Sequence, residues 1–200
     1  MRIGVLIALA CAGVLLSAQD EKTVHDRAVA AFQEGRFAAS VEGFDELARR
    51  QPSRAPHLWQ RGIAQYYAGR YADCRLQFES HRTVNPDDVE NAVWHFLCVA
   101  RQHDHRAARA ALLPVGPDTR LPMRQVYLMF RGDMPAEMVV NAAGRDPAGL
   151  FYGHLYVGLY FDALGRKDLA LSHLEIAAAD RFASVGGYMH TVARLQRNIY

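Results

Sequence analysis

Lysine is almost missing from this chain. Only Lys22 and Lys167 carry an ammonium among its 23 basic residues, and arginine supplies the rest. These arginines are interspersed with 21 acidic residues, so the formal net charge is only +2 and no basic run forms. Nucleic-acid binders present a basic face, and its lack argues against that class of partner. Catalytic signatures are missing too: there is no phosphate-binding Gly-rich loop, no Gly-x-Ser-x-Gly, no His-Glu-x-x-His and no dinucleotide fingerprint. With half of the residues apolar and 22% charged, the composition is that of a packed chain, not a disordered one. Two hundred residues suffice for one domain with a sizeable core.

A long apolar run is also lacking. The stretch from Ile3 to Leu16 is uncharged but too short for a comfortable transmembrane helix. Arg2 precedes it and charge resumes at Asp20, which is the order of a secretory signal segment. The expectation is a signal peptide over residues 1–18, cut after Ala18, and an exported protein of a periplasm or the cell exterior. Two alternatives stay open: lipoprotein processing at Cys11, and retention of the segment as an anchor. Export implies an oxidising compartment, in which the remaining pair, Cys74 and Cys98, is free to bond.

What is present in quantity is repetition. A shift of 34 residues lays Ala28 on Gly62, Gly35 on Gly69, Arg36 on Arg70, Phe37 on Tyr71, Phe44 on Phe78 and Pro52 on Pro86. Each unit reads as two helices with a tight turn between them. The small residue lets the second helix come close, and the glycine closes the first helix in a left-handed conformation. The Phe seven residues beyond the aromatic lies two turns along one face. In the Asn85-Pro86-Asp87-Asp88 stretch, Asn85 is the expected helix cap, with Pro86 at the first helical position.

At Gly62, Gly69, Tyr71, Phe78 and Pro86, and again at Gly158, Gly165, Ala170, Leu174 and Ala177, the chain resembles the tetratricopeptide-repeat (TPR) family. A narrower likeness runs through Leu58-Trp-Gln-Arg-Gly62, Asn85-Pro86, Trp94-His-Phe-Leu-Cys98, Phe151-Tyr152 and Tyr156-Val-Gly-Leu-Tyr160. These segments are similar to TPR-like proteins of bacteria and plant plastids, a group without an established activity. The resemblance implies an all-α fold: a right-handed solenoid of antiparallel helix pairs with a C-terminal capping helix. Over residues 19–200 the expected parts are repeats at about 21–52 and 53–86, a degenerate pair at 87–112, irregular helices within 123–144, a repeat at 148–182 and a polar cap at 184–198. Asp133 is the expected cap of the second irregular helix.

In TPR-like proteins the first helix of each pair lines the concave face. Carried onto this chain, that face holds Trp59, Ile63, Tyr66 and Tyr67 from the second repeat, and His25 and Phe32 from the first. An aromatic groove suits a peptide or protein partner; the competing reading is that these rings pack between neighbouring helices. The basic residue and asparagine with which such domains clamp chaperone tails are absent, since the matching positions hold His25 and Val29, then Trp59 and Ile63. Cys74 lies twelve residues before Pro86 and Cys98 twelve after, so an antiparallel hairpin would set them side by side. Either they bond or they are two small residues buried in a seam. His81 and His95 accompany them, but Cys74 and His81 are two turns apart, about 10 Å along a helix, and cannot share one zinc ion.

The leading expectation is therefore a non-enzymatic binding or scaffold module without metal or cofactor. The alternatives are a small Cys/His hydrolase or redox protein built on Cys74, His81, His95 and Cys98, and a homo-oligomeric assembly subunit.

Overall fold

The structure, a computed structural model, describes residues 19–200. The signal-segment reading of residues 1–18, with its cleavage point and Cys11, lies outside them. The described residues are all helical, without a strand, and the helices pack mainly against their neighbours in sequence. None is long and apolar enough to cross a membrane.

The first two pairs are α1 (residues 19–33) with α2 (Phe37–Arg50), and α3 (Trp59–Tyr67) with α4 (Tyr71–His81). A 3₁₀ turn at Pro52–His57 separates them. Next come α5 (Val89–Gln102) with the short α6 (His105–Ala110), then α7 (Met123–Arg131) and α8 (Ala136–Ala143). A second long pair, α9 (Pro147–Ala163) with α10 (Lys167–Ala177), is followed by a 3₁₀ turn at Asp180–Phe182, α11 (Ala183–Gly186) and α12 (Tyr188–Arg197).

Three of these pairs turn in the same way. Gly35, Gly69 and Gly165 have φ of 74°, 76° and 71°. In each case the next residue's N–H reaches back five positions: Arg36 to Ala31 O, Arg70 to Gln65 O and Arg166 to Phe161 O, at 2.8, 2.8 and 2.9 Å. This is the Schellman closure, which satisfies the last carbonyls of the first helix and needs a residue without Cβ. Within the pairs the helices touch through a small residue. A Cβ on Gly62 would stand 2.6 Å from the Phe78 ring, one on Gly158 2.7 Å from Leu174 Cγ, and one on Gly43 2.8 Å from Ala28 Cβ.

The α5–α6 pair has no such glycine. Asp104 replaces it and accepts the N–H groups of Arg106 and Ala107, both at 2.8 Å. Two expected caps move. Asp88, not Asn85, caps α5 by accepting the Glu90 N–H at 3.0 Å, and Asn85 donates to Asp88 instead. Pro86 therefore lies in the turn before the helix, and the first turn of α5 starts at Val89. Asp133 does not cap α8; it pairs with Arg131, and Pro135 occupies the cap position.

The largest departure is at the C-terminus. The expected single polar cap breaks at Gly187, whose φ is 51°, and α12 crosses to the inner side of the first pairs. Tyr188 stacks on Phe32, with centroids 5.0 Å apart and planes at 20°, and meets Trp59 edge-on at 5.2 Å. Tyr67 donates its hydroxyl to Gln196 at 2.8 Å. Met189, His190, Val192, Ala193 and Gln196 are buried while Arg194 is exposed, so α12 is amphipathic and also packs on α10.

Candidate functional site

Most of the aromatic residues expected to line a concave face are consumed by packing between helices. Phe32 is buried among Phe37, Tyr67 and Tyr188. Tyr66 packs edge-on against Tyr67 and Trp94, and its hydroxyl accepts from Arg101 at 3.0 Å. Arg101 in turn reaches Asp162 at 2.7 Å, and Gln196 donates to the same carboxylate at 3.2 Å. This polar chain joins α3, α5, α9 and α12 across one end of the inner face. Burial pushes the Tyr66 hydroxyl up to about 12 and the Tyr67 hydroxyl well above its usual value, so both stay protonated.

Beside that closure lies a pocket of about 360 Å³. Trp59 and Ile63 of α3, Phe78 and His81 of α4, and Asn91 and Trp94 of α5 form one side. Tyr152 of α9, with Gly186, Tyr188 and Met189 of the C-terminal segment, forms the other. Asp88 and Glu90 stand on its rim. The volume falls within the range of small-ligand sites, about 300–1,000 Å³. It is too small for a helix or strand of a partner.

Three lining residues hold polar atoms that find no hydrogen-bond partner among the described residues: Asn91 Oδ1, Trp94 Nε1 and the Tyr188 hydroxyl. Asn91 is 2% exposed and Trp94 1%. A buried donor or acceptor left unmatched costs about 1–3 kcal/mol. His81 Nδ1 lies 2.8 Å from Pro56 O and donates its proton to that carbonyl.

The rim is electrostatically uneven. Arg120 pairs with Asp88 at 2.6 Å, Glu90 at 2.7 Å and Asp118 at 2.6 Å, so three carboxylates share one guanidinium. Tyr156 donates its hydroxyl to Glu90. Burial and then the neighbouring Asp88 charge push the Glu90 carboxyl above its usual value.

The remaining site residues expected from the sequence fall elsewhere. His25 lines a separate hollow of about 350 Å³ with Glu21, Leu47 and Arg54, and meets the Phe44 ring edge-on. Cys74 of α4 and Cys98 of α5 are bonded to each other, with Cα atoms 5.9 Å apart. One turn from the bond stand Phe78 and Trp94, stacked at 18°, so the disulfide holds the wall of the pocket. Both sulfurs are occupied in this state, and neither is a thiolate for His81 or His95 to activate. His95 instead faces Glu79 at 3.3 Å, and burial lowers its basicity. Among the described residues no group of three or more metal-ligating side chains converges.

Trp59 and Ile63 are thus the inner-face residues that reach the pocket. Asn91, Trp94, Tyr152 and Tyr188 join them, and sequence reasoning had not assigned them a role. No protein-family model matches the chain.

Proposed function

We propose that the chain is an exported, non-catalytic binding module of the TPR-like kind. Its pairs α1–α2, α3–α4, α5–α6 and α9–α10 are read as repeats of a right-handed solenoid. Support comes from the thrice-repeated glycine turn and the small-residue contact between paired helices. What the module binds enters the pocket between Trp59 and Tyr188: one side chain of a peptide or protein partner, or a free molecule of the same size. The observation that carries this reading is the pocket itself, with Trp59, Trp94, Tyr152 and Tyr188 in its lining. Export rests on the sequence of residues 1–18 alone.

Native mass spectrometry on the intact protein, released gently from its own cell envelope, tests the binding role. The reading expects a bound species that disappears in Asn91→Leu and in Trp59→Ala. A protein that carries nothing, or a bound species indifferent to both substitutions, would overturn it.

A further inference from the structure

We infer that the pocket recognises an organic cation. This deepens the binding reading above and rests on it. The lining includes the aromatic side chains of Trp59, Trp94, Tyr152 and Tyr188. An ammonium held among such rings is attracted by their negative faces, and more strongly where water is excluded. The rim supplies Asp88 and Glu90, while no lysine or arginine is among the described residues that line the pocket. Arg120 answers these two carboxylates from outside the pocket, but Asp118, only 5% exposed, claims the same guanidinium. One positive charge is shared by three negative ones, and a bound cation would restore the balance.

The chain has two tryptophans, Trp59 and Trp94, and both line the pocket, so intrinsic emission reports its occupancy. Choline, a free cation with a hydroxyl, is titrated against its neutral twin 3,3-dimethylbutan-1-ol. For a peptide-borne cation, acetyl-Gly-Lys-Gly-amide is titrated against the same peptide with norleucine. A saturable change in emission, at least tenfold tighter for the cation than for its twin in either pair, supports the inference. The pair that discriminates identifies the source. Glu90→Gln should erase that preference while leaving the twin unaffected; Asp88→Asn, which keeps the helix cap, serves if the first variant does not fold. Twins that bind as tightly as their cations overturn the inference and leave the pocket reading standing. Binding by none of the four also overturns it, and the pocket reading is then decided separately by the native mass measurement.

Discussion

The α3–α4 and α9–α10 hairpins follow one plan and serve different ends. Both turn on a glycine with φ near 75° or 71°, and both bring their helices together at a glycine facing a large residue, Gly62 against Phe78 and Gly158 against Leu174. Yet α3 turns its free face toward the pocket, whereas α9 is enclosed by α5, α7, α8, α10 and α11 and is apolar nearly all round. The local plan makes the hairpin. What each hairpin does is decided by the segments that come to lie on it, above all α12.

The two hairpins differ most in their fastening. Only the first is tied to the next helix, by Cys74–Cys98, which closes a loop of 24 residues. Replacing both cysteines with alanine should lower stability by about 3 kcal/mol on the loop-entropy scale, measured by denaturant unfolding. The loss should be greatest around α4 and α5, with α9–α10 retaining its hydrogen-exchange protection.

The helix contacts come next. Gly62→Ala drives a methyl into a Phe78 ring already stacked on Trp94. It should cost about 1–3 kcal/mol. Gly158→Ala meets Leu174, whose side chain turns aside more easily, and should cost less. Equal costs in thermal unfolding would mean that the two contacts are not tuned differently.

The turns should not distinguish the hairpins. Nothing lies within 4 Å of a Cβ built on Gly69 or Gly165, so alanine there meets only the left-handed backbone penalty. Each substitution should cost about 1–2 kcal/mol, and a marked inequality in their melting temperatures would break the claim of a shared plan.

The smallest effect is confined to the second hairpin. His154 and His173 face each other across it, Nδ1 to Nδ1 at 3.0 Å. Burial, then the His173 and Arg181 charges, lowers His154 to about 4, and burial lowers His173. A histidine harder to protonate when folded contributes stability above its unfolded value of about 6.5 and loses it as pH falls toward the folded one. Stability should therefore decline between about pH 6.5 and 4, and His154→Gln should make that decline shallower.

The hairpins were readable because their signals are local. Gly-Arg at 35–36 and 69–70, the small residue seven earlier and the Phe nine beyond the glycine all lie within one repeat. The cap at Asp88 was harder, because Asn85, Pro86 and Asp87 compete with it for the helix start and only packing selects among them. The closure of the inner face was not readable at all. Tyr67 and Gln196 are 129 residues apart, and nothing in the polar-looking stretch from Tyr188 to Arg197 says which surface its buried side will meet. Trp59 packs edge-on against Tyr188, which comes from the segment expected to be the C-terminal cap.

That closure is what turns an open groove into a pocket, and acrylamide quenching of tryptophan emission tests it directly. In the intact chain Trp94 is buried and Trp59 is half-buried against Tyr188, so quenching should be weak. Tyr188→Ala should leave the helical content intact and raise quenching markedly, as Trp59 is uncovered. Equal quenching in both proteins, with the fold intact, would mean that α12 does not close the inner face.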